Sequence, residues 1–206
     1  MAKAPEEGEI WEWRAFGQPS DATLNIIRKQ PIRMGVKDHP GEDLYLISPT
    51  SDQNVKLRQW RNGWVLKFKL LLTTGPRRIE LYTETAGWVY RFPIGRKLLN
   101  HAAQLLGTKL DHIPKSSTKL SSEEFIDALA HATPPIGEVR VLKVRSQFDF
   151  EDGWVELADA RFPNRSVQSL SIHSLRTEVV ETILDQLGTC PEMEVMNYVE
   201  ACRRWG

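Results

Sequence analysis

Five short segments set charged residues two positions apart with apolar residues between them. That spacing restricts the fold more than any other feature of the sequence. The pairs are Glu12 and Arg14, Lys56 and Arg58, Lys67 and Lys69, Arg78 and Glu80, and Lys143 and Arg145. In a β-strand, side chains two apart share a face. Each segment therefore reads as a strand with a charged face backed by an apolar one, such as Val55 and Leu57 behind Lys56 and Arg58. A solvated outer face of an antiparallel sheet explains any one such strand. It explains the set less well. Lys56, Arg58, Lys67 and Lys69 fall on the two arms of one hairpin without acids at the same spacing. Like charges facing each other across a hairpin are destabilising, so an anion is expected to compensate them. If the sheet closes into an antiparallel β-barrel, the basic faces converge inside and focus a positive potential.

The rest of the chain agrees with a mainly antiparallel α+β fold. Glu9–Phe16 alternates Trp11, Trp13 and Ala15 against Glu12 and Arg14, so the tryptophans face a core and the charges face away. Glu42–Ile47 is a second strand. Asn54–Trp60 and Trp64–Leu72 flank an Asn62-Gly63 turn, the preferred dipeptide for positive φ. Further strands are expected over Arg77–Glu84, Gly87–Phe92, Glu138–Phe150, Gly153–Phe162 and Val167–Ser174. Helices are expected from Pro93 to Gly107, over Glu123–Ala132 behind Ser121 or Ser122, and over Thr177–Leu187 before Gly188. Residues 1–8 read as a disordered start and 9–206 as a single domain.

Composition narrows the partners. Lys plus Arg and Asp plus Glu number 27 each, so no global field draws the chain to nucleic acid or membrane, and any anion site comes from local segregation of charge. No apolar run reaches the roughly 18 residues of a membrane span. The start of the chain lacks a secretory signal. Cys190 and Cys202 have neither metal spacing nor a framework pattern. They read as free thiols in a reducing cytoplasm in preference to a lone disulfide. His39, His101, His112, His131 and His173 show no metal-ligand spacing, and His173 reads as a hydrogen-bonded residue at a strand end rather than as a base. Trp11, Trp13, Trp64, Trp88 and Trp154 read as filling between barrel and helices. No P-loop, dinucleotide glycine run, serine elbow or zinc cluster occurs.

The order of these segments resembles the CYTH, or triphosphate-tunnel, superfamily over nearly the whole chain, from Glu9 to about Tyr198. The opening E-x-E-x-K of the family is similar to Ile10-Trp11-Glu12-Trp13-Arg14, with Ile10 in place of the first glutamate. Asp43-Leu44-Tyr45, Lys56-Leu57-Arg58, Lys67-Phe68-Lys69, Arg78-Ile79-Glu80 and Lys143-Val144-Arg145 resemble successive tunnel strands. Glu156-Leu157-Ala158-Asp159 stands at the D-x-V region, and Ser169-Leu170-Ser171-Ile172-His173 replaces a closing E-x-E. The helix after that strand and Asn197-Tyr198 resemble the family's C-terminus.

The resemblance implies an eight-stranded closed tunnel with flanking helices. Phosphates would be gripped by Arg14, Lys56, Arg58, Lys67, Lys69, Arg78, Lys143 and Arg145. Mg²⁺ or Mn²⁺ would be held by Glu12, Glu80, Glu84 and Asp159, with Glu156 beside them. Three functional readings follow. The first is a metal-dependent triphosphatase, and the second a polyanion- or nucleotide-binding barrel with a degenerate metal site. The third is an interaction module displaying Trp60, Arg61 and Trp64 to protein or nucleic acid. Thinning of the carboxylates weakens turnover more than binding, because arginine and lysine alone can hold a triphosphate.

Overall fold

The computed structural model describes residues 8–33, 41–61, 63–84, 90–111, 118–188 and 192–206, apart from the Glu84 side chain. His39, Asn62, Trp88, His112 and Cys190 lie outside the described residues, as do residues 1–7 of the expected disordered start. The elements run β1 (Glu9–Phe16), α1 (Asp21–Arg28), β2 (Gly41–Ile47), β3 (Asn54–Trp60), β4 (Gly63–Thr74), β5 (Glu80–Glu84), β6 (Tyr90–Arg91), β7 (Ile94–Gly95) and α2 (Arg96–Leu105). They continue with β8 (Lys119–Leu120), α3 (Ser122–Ala130), β9 (Gly137–Phe150), β10 (Gly153–Arg161), β11 (Ser166–Ser174), α4 (Thr177–Leu187), β12 (Glu194–Val195) and α5 (Tyr198–Trp205).

Eight strands pair antiparallel in the order β11-β10-β9-β2-β3-β4-β5-β1, and β1 pairs back onto β11 to close the barrel. At the seam Glu12 stands opposite His173 and Arg14 opposite Ser171. On the other side of β1, Glu12 faces Glu80 of β5. The expected α+β tunnel barrel is the fold the chain has.

Helices cover the outer faces of the strands. Under α2 and α3 lie Leu44, Leu46, Val55, Leu57 and Leu66 of β2–β4, packed with Leu99, Phe125 and Leu129. Under α1 and α4 lie Trp11, Trp13, Val155, Leu170 and Ile172, packed with Ile27, Ile183 and Leu184. The tryptophan face of β1 thus meets helices, and the opposite face points into the barrel, as the alternation requires. Local signals set several helix starts. Ser121 accepts from the Glu124 amide while the Glu124 side chain accepts from the Ser121 amide, and Asn197 and Glu200 make the same reciprocal box at α5.

A third cluster lies inside the barrel. Phe16, Tyr45, Val141 and Ala160 stand two residues from Arg14, Asp43, Lys143 and Ala158, and so share their inward face. They pack with Tyr198, Ala201, Cys202 and Trp205 of α5. The Phe16 ring lies 5.1 Å from Tyr198 and 5.5 Å from Trp205, and Phe162 lies 5.2 Å from Trp205. These residues belong to the C-terminal ends of β1, β2 and β10 and the N-terminal end of β9, so α5 stoppers that end of the barrel. Cys202, buried there as a free thiol, is pushed up to about 12 by burial. Gly17 turns the chain out of β1 at φ +142, where a Cβ would lie 2.6 Å from the Glu192 carbonyl.

Several boundaries differ from expectation. Arg77–Glu84 is not one strand: Pro76–Arg78 forms a single 3₁₀ turn, and β5 begins at Glu80. Arg77 and Arg78 sit at φ 56 and 58, in the left-handed region, which breaks the strand pattern. Of Gly87–Phe92, only Tyr90–Arg91 is described as strand, and it pairs with β4. The helix expected from Pro93 starts at Arg96, because Ile94–Gly95 bridges to β8. Helices α1 and α5, eight residues each, were not expected, although their apolar residues keep a helical spacing that each buries on one face.

Trp205→Ala should cost about 3–5 kcal/mol of stability in urea unfolding, the range for removing a buried aromatic. A loss below about 1 kcal/mol, within ordinary surface effects, would show that α5 is only loosely docked.

Candidate anion-binding site

Above the α5 stopper the barrel holds a cavity of about 290 Å³ lined by Arg14, Lys56, Arg58, Lys67, Lys69, Lys143 and Arg145. Its acids are Glu12 and Glu156 on the wall and Asp43 just behind it. Seven cationic groups therefore face three carboxylates, and the cavity keeps an excess of positive charge in a place with little water.

Asp43 organises one side. Its carboxylate takes Arg58 Nε at 2.7 Å and Nη2 at 3.0 Å, Lys143 Nζ at 2.8 Å and Lys56 Nζ at 3.2 Å. Burial alone would raise the Asp43 pKa, but Lys143, Lys56 and Arg58 together hold it well below the usual carboxylate range. Lys56 and Lys143 also donate to the Tyr45 hydroxyl. Lys143 Nζ stands 3.5 Å from the Tyr198 ring centroid and Arg14 Cζ 4.6 Å from it, so the α5 tyrosine offers its electron-rich face to two buried cations. Burial pulls Lys56 well below the ordinary lysine value and Lys143 down to about 8, against the attraction of Asp43.

Glu12 organises the other side. It accepts from Arg14 Nε at 2.9 Å and from Lys69 Nζ. Burial opposes its charge, but Arg14, Lys69 and His173 hold it well below the carboxylate range. Glu156 accepts from Gln147 Nε2 at 2.8 Å and lies 3.7 Å from both Arg14 and Arg145. Despite burial, those arginines lower it to about 2. The like-charged pair Lys56 and Lys67 faces across the β3–β4 ladder, as the hairpin pattern requires.

The structure places the expected site residues unevenly. Arg14, Lys56, Arg58, Lys67, Lys69, Lys143, Arg145 and Glu12 come together on the cavity wall. Glu80 is buried beside Glu12, where it accepts from Tyr82 and, at 3.0 Å, from Asn197; burial raises its pKa. Glu84 pairs in register with Lys69, and its side chain lies outside the described residues.

Two of the expected residues are not brought in. Arg78 is exposed on the 3₁₀ turn, bonded to the Val195 carbonyl at 3.0 Å and to Glu200. Asp159 is exposed on the outer face, accepting from Gln168 Nε2 at 2.9 Å. The two-residue period explains this second displacement: with Glu156 inward, a residue three positions on points outward.

Sequence reasoning assigned no role to several wall residues. Trp154 was expected between barrel and helices. Instead it lines the cavity, its ring stacked on His173 at 4.9 Å and lying 4.3 Å from Arg33 Cζ. His173 is hydrogen-bonded at the end of β11, as expected, and is buried in the wall. Its Nε2 pairs with Ser171 Oγ at 2.9 Å, its Nδ1 lies 3.3 Å from Glu12 without a hydrogen bond, and burial lowers its pKa to about 4. Both share the inward parity of Glu156 and Ser171, so parity could have found them. Tyr198 comes from outside the strands, and no period predicts it. Trp60 is half exposed, but Trp64 packs on the α2–α3 core, so the two do not form a stacking platform.

A resident Mg²⁺ or Mn²⁺ needs several free oxygen donors. Here Glu12 is engaged by Arg14 and Lys69, and Glu80 by Tyr82 and Asn197. The inward side of β11 offers Ser169, Ser171 and His173. Among the described residues, no group of three or more His, Cys, Asp or Glu side chains is placed to hold a metal ion. Among the described residues, with the Glu84 side chain outside them, the acids of the wall are thus engaged by protein partners and form no preassembled metal cluster.

A closed tunnel lined by cations is the class of protein that this fold and site define. Solved structures share its fold. A putative adenylate cyclase from Bacillus halodurans aligns over 94% of this chain and 98% of its own, with TM-score 0.52 and 12% identity. A putative adenylyl cyclase from Hippeastrum with a dominant triphosphatase activity aligns over 95% of each chain, with TM-score 0.52 and 13% identity. A conserved hypothetical protein from Pyrococcus furiosus aligns over 93% of this chain and 98% of its own, with TM-score 0.53 and 14% identity. At such identities the likeness is one of fold, and it is the CYTH-type tunnel fold that the strand motifs resemble. No protein-family model matches the chain, and no curated protein matches it in sequence. Among the described residues, no helix is long and apolar enough to cross a membrane.

Asp43→Ala should cost about 3–5 kcal/mol in chemical denaturation, the range for breaking a buried ion pair by removing one partner. Three cations would be left without their shared counter-charge. A cost under about 1 kcal/mol would mean that Lys56, Arg58 and Lys143 are held independently of it.

Proposed function

We propose that residues 9–206 act as one tunnel domain that binds a small linear polyphosphate, such as inorganic triphosphate or the triphosphate of an organic compound. One observation carries this reading: seven lysine and arginine side chains from four strands of the barrel converge on one cavity against three carboxylates. Desolvating that much like charge is costly, and a polyanion offsets it with charge-assisted hydrogen bonds that are strong where water is scarce. Arg14, Arg58 and Arg145 present forked donors to phosphate oxygens, and the lysines present point charges. The partner is a small anion rather than nucleic acid or a membrane, with the cytoplasm as the expected setting.

Titration calorimetry with inorganic tripolyphosphate, in the absence of metal, should show saturable binding. Arg14→Gln should weaken it about tenfold to a hundredfold, the ~1.5–3 kcal/mol of a lost charged hydrogen bond. Absence of binding would sink the proposal. Affinity should also fall as pH rises through about 8, where Lys143 gives up its proton. Between that value and the ordinary 10.5 the unfolded chain holds a proton that the folded chain has lost, so the stability of the free protein should rise with pH over the same window. Lys143→Met should flatten both trends.

A second reading, hydrolysis with a divalent cation, draws support from the shared fold with a triphosphatase and from Glu12 and Glu80 standing opposite on β1 and β5. On this reading Mg²⁺ or Mn²⁺ arrives with the phosphates rather than residing in the protein. Phosphate release from tripolyphosphate that needs added Mg²⁺ or Mn²⁺ and disappears in Glu12→Gln would establish it. Binding without release leaves the tunnel a binder.

A further inference from the structure

Among the described residues, the tunnel is closed at one end. Its far end is filled by Phe16, Tyr45 and Phe162 packed on Tyr198 and Trp205 of α5, with Tyr45 and Tyr198 stacked at 5.5 Å. The opposite end carries the β3–β4 and β9–β10 hairpin connections, where Trp60, Arg61, Glu151 and Asp152 are exposed. Exposure of the cations grades between these ends. The side chains of Lys143 and Arg14, over the Tyr198 ring, are 4% and 6% exposed, whereas those of Arg58 and Arg145 are 19% and 29% exposed. The cavity, at about 290 Å³, lies at the small end of ligand pockets, which run roughly 300–1,000 Å³. It has room for a phosphate chain but not for a chain together with a nucleoside.

Resting on the anion-binding reading above, we infer that the site selects phosphate chains with at least one unesterified end. The free terminal phosphate enters first and seats deepest, on Arg14 and Lys143 above Tyr198. Any organic group remains at the mouth, near Arg145 and the Trp154–His173 stack. A chain esterified at both ends cannot reach the floor, because α5 blocks threading and a cavity of about 290 Å³ does not hold a leading nucleoside together with the chain behind it. The barrel thereby reads chain ends as well as charge.

The test compares three probes with the full native protein by titration calorimetry: tripolyphosphate, ATP, and diadenosine tetraphosphate, whose charge at neutral pH is similar to that of ATP. Tripolyphosphate and ATP should bind, and diadenosine tetraphosphate should bind at least about tenfold more weakly than ATP. Equal affinity for ATP and diadenosine tetraphosphate overturns the end-selection rule while leaving anion binding intact. Binding of tripolyphosphate but not ATP also overturns it, since the organic group would then not be tolerated at the mouth. Failure of all three overturns the anion-binding reading and this inference with it.

Discussion

The carboxylate of Asp43 is the contact on which the rest of the tunnel depends. A barrel interior that gathers lysines and arginines from neighbouring strands faces strong self-repulsion, and burial adds a desolvation cost for each of them. Asp43 answers both at once by bonding Arg58, Lys143 and Lys56, one from the strand on either side and one from further along the same ladder. Glu12 and Glu156 repeat the device for Arg14, Lys69 and Arg145. The cations are thereby fixed in direction before any ligand arrives, which lowers the ordering cost of binding. The acids are too few to neutralise the wall, and that imbalance is what leaves an anion something to gain.

The two faces of each strand are inseparable in this design. Trp11 and Trp13 bind β1 to the α1–α4 core, and the same strand turns Glu12 and Arg14 inward. Leu44 and Leu46 do the same for Asp43 and Tyr45 on β2. The apolar burial that stabilises the barrel therefore also fixes the register of the charged groups, since a one-residue slip would exchange the two faces.

Much of this was legible in the sequence. The alternation of Lys56, Arg58, Lys67 and Lys69 with leucines and Phe68 specified both the strands and their inward charge, because a period of two leaves no other arrangement once the apolar face is covered. The same rule misled where the strand was broken or misaligned. Arg78 fell on a turn because two residues adopt positive φ ahead of Glu80, which composition does not announce. Asp159 was matched by motif although its parity with Glu156 is wrong. The tyrosine floor was out of reach for a different reason. It is contributed by a short helix remote in sequence, and its place is decided by packing against Phe16, Tyr45 and Trp205 rather than by any local pattern.

The helical stopper has a bearing on timing as well as on selection. In a channel open at both ends, a bound molecule or its fragments could leave by either route. Here everything that enters must retreat along its own path, the innermost piece last. If the chain is cut within the tunnel, the fragment lodged above Tyr198 waits for the outer one to clear. The residence time of that inner anion, set by Arg14 and Lys143, would then govern how soon the cavity is ready again.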